Sequence, residues 1–366
     1  MEQSLSSLTR IRSLSGPVLI TGHTGFKGTW LGLLLDELRI PYVGYSLKPE
    51  KDTLFDRLNR TGSAPEQFAD ILDVNEFKNF VSKHQVKAII HMAAQPLVLR
   101  SYQIPLETFA VNALGTANVL STATEARDVS AVIAVTTDKV YRNSNDGRDF
   151  LESDPLQGHD PYSASKVAAE SAVDVWRKIA QQSGGPQIVS VRAGNVIGGG
   201  DWSENRLIPD LIRGFSKLEK VEIRSPDSTR PWQHVLDPLL GYLYTLEDSL
   251  RGSTEASYNF GPTTPSLSVK RVVEIARAIW PEDANVVFSK NTGSMEAQML
   301  GLDPTLAADK LNWKPIWDQE EAVGSSVEWW VNVLKRKMNP IDACLADISK
   351  ILHGKEKQLK DQRDAK

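Results

Sequence analysis

The stretch that decides the fold is VLITGHTGFKG, residues 18–28, in which a short apolar run leads directly into three glycines. Val18–Thr21 is strand-sized and the residues after the glycines have the composition of a helix, so Gly22, Gly25 and Gly28 fall at a strand-to-helix turn. Glycine suits such a turn, because the backbone must bend tightly and approach a pyrophosphate without a Cβ in the way. The N-terminus of the following helix offers free N–H groups and the positive end of its dipole to phosphate.

The spacing of this turn is GxxGxxG rather than the GxGxxG of the general dinucleotide fingerprint. An ordinary glycine-rich turn is therefore the alternative to a phosphate site, although its position after the first predicted strand favours the site. His23 and Lys27 lie inside the loop, where either side chain could approach phosphate. For Lys27, an exposed helix face is equally consistent with the pattern.

The second predicted strand lacks the acid that usually binds the adenosine ribose about 20 residues after the glycines. Its end reads GYSLK, Gly44–Lys48, without a carboxylate. The residues alone therefore leave NAD and NADP open, and Lys48 could favour a 2′-phosphate. Asp70 and Ile71 follow a short extended stretch that suits a contact with the adenine edge, and a plain loop acid fits as well.

The first half of the chain alternates strand-sized apolar runs with helical patterns, which predicts βαβ units and a buried parallel sheet with right-handed crossovers. The predicted strands are Val18–Thr21, Val43–Ser46, Ala88–Met92, Ala131–Thr136 and Ile188–Arg192. The predicted helices are Gly25–Leu38, Val74–Lys83, Pro105–Ala126 and Tyr162–Gln181. The expected fold class is α/β, a Rossmann-type doubly wound parallel sheet with a smaller C-terminal substrate-binding lobe.

The regular alternation of predicted strands and helices ends near Gly194. Seven of the nine tryptophans lie beyond Gly200. The predicted units are a dinucleotide-binding domain over 1–194, a mainly substrate-binding lobe over 195–350 with segments that return to the sheet, and a charged tail over 351–366. Residues 1–16 are predicted to be a frayed extension, and the tail a solvated or frayed helix.

The composition of the 366 residues excludes several classes of protein. With 42 Lys and Arg against 46 Asp and Glu, the net charge of −4 provides no basic field for nucleic acid. The one cysteine, Cys344, cannot form an internal disulfide, which favours a reducing cytoplasm. The six histidines lack metal-ligand spacing, and no apolar run approaches the ~18 residues of a membrane span. We expect a cytoplasmic protein with no metal, nucleic-acid or membrane partner.

Tyr162 and Lys166 form a YxxxK pair whose i, i+4 spacing places both side chains on one face of a helix. The Lys166 ammonium would lower the pKa of the Tyr162 phenol from about 10. A lowered pKa is what a tyrosine needs if it is to act as a base that removes a hydroxyl proton. Asp160 and Pro161 supply a cap and a first-turn proline for this helix. An exposed pair on a helix surface is the ordinary alternative for an isolated YxxxK. The glycine turn upstream is what favours a catalytic role for this pair.

The run AVIAV ends in Thr136–Tyr141, TTDKVY, and strand ends of an open parallel sheet face the ligand cleft. Thr137 could hydrogen-bond a sugar hydroxyl or the Tyr162 phenol. Asp138 and Lys139 offer an adjacent acid and cation. A turn that merely ends the strand is the alternative.

The predicted strand Ala88–Met92 leads into Ala93, Ala94 and Gln95, which we place at the same edge of the sheet. His91 lies within the apolar run before them and is expected to pack in the core rather than to catalyse. The helix Pro105–Ala126 is expected to pack beside the Tyr162 helix and is a candidate for a dimer interface.

The segments TGHTGFKG, HMAAQP, VNALGT, TTDKVY and DPYSASK, in this order, resemble the extended short-chain dehydrogenase/reductase superfamily. RAGNVIGGGDW, NRLIPD, STRPWQHVLDP and YNFGP, between Arg192 and Pro262, are similar to its CDP-glucose 4,6-dehydratase family. The resemblance extends from about Val18 to Trp330. It implies NAD as the cofactor, a nucleotide-sugar substrate, a homodimer or homotetramer, and a role in deoxysugar and lipopolysaccharide biosynthesis.

The resemblance also implies the chemistry. Tyr162, assisted by Lys166 and Thr137, would deprotonate the sugar 4-hydroxyl while hydride passes from C4 to NAD; water is then lost across C5–C6 and hydride returns to C6. Asp138 matches the acid that protonates the departing 6-hydroxyl. Lys139 stands where dTDP-glucose dehydratases carry Glu as the C5 base, and the CDP-glucose branch carries Lys there, so the C5 base stays open.

The residues assigned to the cofactor through this resemblance are Gly22, His23, Gly25, Phe26, Lys27, Gly28, Asp70, Ile71, Ala93, Ala94, Gln95, Tyr162 and Lys166. Those assigned to the substrate are Gln95, Asn195, Arg206, Leu207, Arg230, His234 and Glu296. An arginine fork matches phosphate oxygens, whereas the segment around His234 also fits a buried strand. The alternative functions are a nucleotide-sugar 4-epimerase, a dehydratase of another nucleotide sugar and a non-catalytic NAD-binding protein.

Overall fold

The computed structural model describes residues 8–143, 147–223, 225–289 and 300–364. The strands are β1 (Val18–Thr21), β2 (Tyr42–Ser46), β3 (Glu66–Phe68), β4 (Ala88–His91), β5 (Ala131–Val135), β6 (Gln187–Ala193), β7 (Asn195–Ile197), β8 (Val221–Ile223), β9 (Thr229–Arg230), β10 (Trp232–His234), β11 (Ser257–Phe260), β12 (Leu267–Ser268) and β13 (Val286–Phe288). The helices are α1 (Thr9–Arg12), α2 (Phe26–Glu37), α3 (Leu54–Arg57), α4 (Val74–Lys83), α5 (Val98–Gln103), α6 (Pro105–Phe109), α7 (Gly115–Glu125), α8 (Pro161–Ser183), α9 (Leu207–Lys217), α10 (Leu236–Leu250), α11 (Val269–Ile279), α12 (Thr305–Leu311), α13 (Gln319–Leu334) and α14 (Pro340–Asp364). A π-helical turn over Ala110–Leu114 joins α6 to α7, and a 3₁₀ turn covers Asp138–Val140.

The centre of the fold is a seven-stranded sheet in the order β3-β2-β1-β4-β5-β6-β11, in which every neighbouring pair is parallel. Each of the five predicted strands is present, with ends within one residue of the prediction. The strand order reverses between β1 and β4, which makes a topological switch point at the end of β1. The doubly wound fold is confirmed, and β11 is one of the segments expected to return to the sheet.

Successive side chains of the strands enter two different cores, because they point to opposite faces of the sheet. Leu19 and Ile89 join a core under α4, α7 and α8. Ile20 and Ile90 join a larger core that continues through α2, α10, α13 and α14. This second core is unbroken across Gly194, so the predicted boundary there separates sheet from cap in sequence but does not divide the hydrophobic core.

Both predicted frayed ends are corrected where the structure describes them. Leu8 and Ile11 are buried, and the Glu247 carboxylate on α10 accepts hydrogen bonds from Thr9 Oγ1 and the Arg10 and Ile11 N–H groups. A one-turn helix forms here because the rest of the fold satisfies its first N–H groups and covers its apolar side chains. At the other end, Ile351 is fully buried in the larger core, so the helix beyond residue 350 begins as packed structure.

None of the described helices is both long and apolar enough to cross a membrane. The described side chains also contain no group of His, Cys, Asp or Glu suited to hold a metal ion.

Candidate active site

The glycine turn lies at the end of β1 and leads into α2, as predicted. Gly22 has φ +75°, and a Cβ there would come within 2.8 Å of the Ala93 nitrogen, so the turns after β1 and β4 touch. A Cβ on Gly28 would come within 2.1 Å of the Gly22 carbonyl oxygen. Any larger residue at these two positions would force the turn open, which explains why the sequence has glycine there.

The start of α2 fits a dinucleotide pyrophosphate. Its N-cap residue, Gly25, is exposed, and no described side chain caps the helix. The N–H groups of Phe26, Lys27 and Gly28 therefore point out of the first turn without a helical partner, with the positive end of a 12-residue helix behind them. Such an arrangement binds phosphate through backbone donors, so the residues present fit NAD.

His23 does not turn its side chain toward this helix end. Its imidazole is buried, stacks on Phe68 at a centroid distance of 6.0 Å, and its Nε2 lies 2.9 Å from Glu66 Oε2 on β3. Burial lowers the pKa of His23, against the opposing effect of Glu66. The His23 imidazole therefore joins the glycine loop to β3, and a contact of His23 with the cofactor stays a prediction. Glu66 brings to this edge the carboxylate that β2 lacks.

Lys27 projects into the cleft, so the alternative of an exposed helix face is wrong. Its Nζ donates to Tyr242 Oη on α10 at 3.2 Å. Burial, with the positive charges of Arg206 and Lys166, lowers the pKa of Lys27 to about 7, and Asp138 opposes that shift. Lys27 thus lies among the candidate catalytic side chains.

The turn after β4 carries the predicted Ala93, Ala94 and Gln95. The Gln95 amide donates to Thr108 Oγ1 at 3.0 Å and accepts from the Leu97 N–H at 2.7 Å, which fixes its side chain over this turn. His91 is a core residue, as predicted. Its ring nitrogens bond Thr21 and Thr116, and burial lowers its pKa to about 3.

Asp70 and Ile71 follow the short strand β3, where the extended stretch was predicted. The exposed Asp70 carboxylate accepts from the Leu72 N–H at 2.9 Å, and Tyr45 Oη donates to the Asp70 carbonyl. Ile71 is buried against Gly115 of α7. Their contact with adenine stays a prediction.

Tyr162 and Lys166 lie on one face of α8, whose N-terminus has Asp160 in a capping box. Lys166 Nζ donates to the Val135 carbonyl at 3.1 Å, at the end of β5. Burial raises the pKa of Tyr162 to about 12, although a hydrogen bond with Thr137 and the charge of Arg206 lower it. Burial also lowers the pKa of Lys166 to about 8. In the protein alone, desolvation thus outweighs the hydrogen bond with Thr137 and the charge of Arg206, and the pKa of the phenol lies above its usual value; the lowering expected in the working enzyme stays a prediction.

Asp138 is 1% exposed and lies in the turn that follows β5. Its Oδ1 accepts from Thr137 Oγ1 at 2.9 Å and lies 3.8 Å from Lys139 Nζ. Its Oδ2 has no hydrogen-bond partner among the described residues. Leaving a buried carboxylate oxygen unpaired is costly, and this one lies at a strand end where ligands of such a sheet bind, so it is a candidate to contact a ligand.

Of the predicted substrate residues in the cap, Arg206 comes near the Tyr162 and Lys27 side chains. Arg206, just before Leu207 at the start of α9, pairs with the buried Asp201 at 3.5 Å and is near enough to Tyr162 to lower its pKa. Asn195 begins β7, and its N–H donates to the Pro231 carbonyl, next to Arg230. The Gly194 Cα lies beside Asp138, since a Cβ there would be 3.4 Å from Oδ2.

His234, which was predicted to contact the substrate, lies in the hydrophobic core instead. It is fully buried in β10, stacked on Trp317 at 4.2 Å, with Nε2 3.5 Å from Asp347 on α14. The buried-strand alternative is correct, because Trp317 and α14 pack over this side chain. Glu296 lies outside the described residues.

Several residues of the site neighbourhood were missed by the sequence analysis. Glu170 and Arg192 form a buried ion pair behind the Thr137–Lys139 turn, and Tyr242 faces Lys27 from α10. Glu170 follows Lys166 by four residues on the same helix face, a spacing that could have revealed it. Tyr242 has no local signal, since only the packing of α10 brings it to the cleft.

Comparison with known proteins places the chain among related enzymes. The model of the NAD dependent epimerase/dehydratase family matches residues 18–261. The chain is 38% identical to the CDP-glucose 4,6-dehydratase of Salmonella typhimurium over 321 residues, covering 85% of this chain and 89% of that protein. It is 28% identical to the dTDP-D-glucose 4,6-dehydratase of Homo sapiens, covering 87% and 93%.

Solved structures share the fold. The UDP-glucose 4-epimerase of Thermotoga maritima, solved with UDP-glucose, superposes with a TM-score of 0.75 at 21% identity, covering 87% of this chain and 100% of that one. The dTDP-glucose 4,6-dehydratase of Bacillus anthracis, solved with NAD, gives 0.74 at 18% identity, covering 89% and 100%.

Proposed function

The chain belongs to the NAD dependent epimerase/dehydratase family, and we propose that it converts CDP-glucose to CDP-4-keto-6-deoxyglucose by loss of water. The choice of nucleotide sugar rests on the 38% identity with the Salmonella enzyme, which extends over 85% of the chain. NAD is the cofactor, and the protein is an NAD-dependent nucleotide-sugar 4,6-dehydratase, a hydro-lyase of deoxysugar metabolism.

The observation that carries the proposal is the unpaired Oδ2 of Asp138. It lies in the turn that follows β5, the strand end at which ligands of open parallel sheets bind. A 4-epimerase needs a base at the 4-hydroxyl but no acid for a departing 6-hydroxyl. The paired acid and cation of Asp138 and Lys139 therefore favour water loss over epimerisation.

Each reacting position of the sugar has a residue to serve it. Tyr162 Oη, in its phenolate form, would accept the proton of the 4-hydroxyl; Thr137 hydrogen-bonds this phenol, and Lys166 lies one turn further along the same helix. When bound, NAD supplies a hydride acceptor for C4 and a hydride donor for C6. Asp138, in its protonated form, would deliver a proton to the departing 6-hydroxyl, and the neighbouring Lys139, in its neutral form, would accept the C5 proton.

The cap supplies the charges that a nucleoside diphosphate requires. Arg206 and Arg230 offer guanidinium forks, which match phosphate oxygens in geometry. Asp201 holds Arg206 at the mouth of the cleft, and Asn195 lies beside the Arg230 segment. We keep these assignments, with the predicted cofactor contacts of Asp70 and Gln95, as parts of the proposal.

Purified protein with NAD and CDP-glucose is expected to form a 4-keto sugar, measured by its absorbance in alkali. Parallel reactions with dTDP-glucose and UDP-glucose test the nucleotide, because the same site would dehydrate any of them if the base were not recognised. Formation of CDP-galactose without alkali-induced absorbance would establish an epimerase instead. No product from any nucleotide sugar would overturn the proposed reaction.

We also propose a homodimer through the helices beside the site. Five large apolar side chains on α6–α8 and the π-helical turn are exposed: Leu106, Phe109, Leu114, Val175 and Ile179. Leu106 is 86% exposed, and Val175 and Ile179 lie one turn apart on α8. A patch of this kind marks an interaction site, and a two-fold axis pairs such a patch with its own copy.

Val175→Glu is expected to convert this dimer to a monomer, as measured by light scattering. A glutamate at a two-fold interface places a charge from each copy in an apolar contact, while α8 tolerates glutamate well. Met338→Glu is the matched control, because Met338 is also exposed but lies between α13 and α14. A monomeric wild type, or an unchanged mass of Val175→Glu, would contradict this interface.

The proposal places the enzyme in the cytoplasm. Cys344 is the one cysteine of the sequence, and it is fully buried in the larger core. A role in lipopolysaccharide biosynthesis would follow if the deoxysugar product entered a surface glycan.

A further inference from the structure

A buried ion pair lies behind the Thr137–Lys139 turn and has no part in the steps assigned above. Arg192 on β6 binds Glu170 on α8 through two parallel hydrogen bonds, Nε to Oε1 at 2.8 Å and Nη2 to Oε2 at 2.9 Å. The side chains are 5% and 2% exposed. Desolvation would raise the pKa of Glu170, but the bonds and charge of Arg192 outweigh it and lower that pKa.

The same pair holds the residues at both ends of the catalytic turn. Before the turn, Thr136 Oγ1 donates to Glu170 Oε1 at 2.5 Å. After the turn, Arg192 Nη1 donates to Tyr141 Oη at 2.7 Å. Thr137, Asp138 and Lys139 therefore lie in a short turn, and the residues on both sides of it are hydrogen-bonded to one ion pair.

The Tyr141 end is held further from the cap side. Tyr141 is 1% exposed, stacks on Phe150, and donates from Oη to Asn259 Oδ1 at 2.7 Å. Asn259 in turn donates from Nδ2 to the Phe150 carbonyl and from its N–H to Glu152 Oε1. The motifs TTDKVY, RAGN and YNFGP thus meet in one buried network with the helix of Tyr162.

We propose that the Glu170–Arg192 pair, acting through Thr136 and Tyr141, positions the turn that carries Asp138 and Lys139, and that Tyr141 is a positioning residue for water loss. This inference rests on the proposed dehydration. Tyr162 and Lys166 are carried by α8 and meet the turn through the hydrogen bond of Tyr162 with Thr137, whereas Asp138 and Lys139 are held by the two ends of the turn. Loosening one end therefore misplaces the acid and cation more than the base, and small misplacements of reacting groups are costly.

Tyr141→Phe tests the proposal with little loss of packing, because the ring stays and Arg192 Nη1 keeps the Glu152 carbonyl at 3.1 Å. We expect kcat to fall about tenfold with KM nearly unchanged. Because C4 oxidation is affected less than water loss, near-ultraviolet absorbance of reduced nicotinamide is expected to accumulate on adding CDP-glucose. Tyr258→Phe is the matched control: Tyr258 is equally buried, and its Oη donates to Asp248, away from the turn.

Hydrogen–deuterium exchange provides a readout that does not depend on the reaction. The amides of residues 136–141 are expected to exchange faster in Tyr141→Phe than in wild type or Tyr258→Phe. Equal exchange and equal kinetics in the two phenylalanine variants would overturn the inference. If wild type dehydrates no nucleotide sugar, the proposed function fails, and the exchange comparison still decides the positioning.

A second variant covers the case in which Tyr141→Phe does not fold. Thr136→Val removes the hydroxyl that donates to Glu170 and keeps the shape of the side chain. It loosens the other end of the turn, so the same fall in kcat, the same accumulation and the same faster exchange are expected. If Thr136→Val folds and shows wild-type kcat, no accumulation of reduced nicotinamide and wild-type amide exchange, the turn is not positioned from both ends.

Discussion

Tyr162→Phe is expected to lower kcat by about a thousandfold, the range over which a positioned acid–base group accelerates proton transfer. The variant keeps the buried ring on α8 and removes the atom that accepts the 4-hydroxyl proton. Without that acceptor, C4 oxidation is the step that slows, so the 4-keto sugar and reduced nicotinamide both form about a thousandfold more slowly. The measurement is kcat for CDP-glucose together with near-ultraviolet absorbance during a single turnover.

The loss must be separated from loss of structure or of cofactor. Tyr258→Phe removes a phenol hydroxyl that is buried in β11 and bonded to Asp248, and it is expected to retain wild-type kcat. Because Tyr162 is also a predicted cofactor contact, NAD content after gel filtration is measured in Tyr162→Phe, Tyr258→Phe and wild type, and kcat is compared per bound NAD; the backbone donors of α2 are untouched. Near wild-type turnover by Tyr162→Phe would remove Tyr162 from its role as base.

The part of the site that the sequence predicted lies at the ends of parallel strands. Thr137 and Asp138 follow β5 directly, and Ala93 follows β4, so a correct strand assignment also places their side chains at one edge of the sheet. The i, i+4 spacing placed Lys166 with Tyr162 for the same reason. Periodicity and chain adjacency are local, and these residues needed nothing more.

The contacts that the sequence could not predict join distant segments. Glu247 on α10 fixes the N-terminal turn at Thr9, and Asp347 on α14 faces His234 on β10. The strand carrying His234 fitted both a cleft and a core, and only the packing of Trp317 against it decides for the core. The raised pKa of Tyr162 could not be predicted either. It is caused by burial, which depends on the whole fold, whereas the YxxxK spacing says nothing about how deeply the phenol is buried.

Asp138→Asn is expected to separate the two halves of the reaction. The amide oxygen can still accept from Thr137 Oγ1, so the turn keeps its shape, but the group has no acidic proton for the 6-hydroxyl. Tyr162 is intact, so C4 oxidation continues, while water loss falls by about 10² to 10⁴-fold. Adding CDP-glucose should then give a stable rise in near-ultraviolet absorbance without a product that absorbs in alkali.

A buried aspartate elsewhere in the chain makes this result specific. Asp237, at the start of α10, is also 1% exposed, accepts from the Ile316 N–H through Oδ1, and has an Oδ2 without a partner among the described residues. Burial raises the pKa of Asp237 to about 7, so an amide replaces a group that is already partly neutral near that pH. Asp237→Asn should therefore dehydrate CDP-glucose at the wild-type rate. If Asp138→Asn did the same, the acid would have to be another group; if it lost C4 oxidation as well, Asp138 would act on Tyr162 rather than on the 6-hydroxyl.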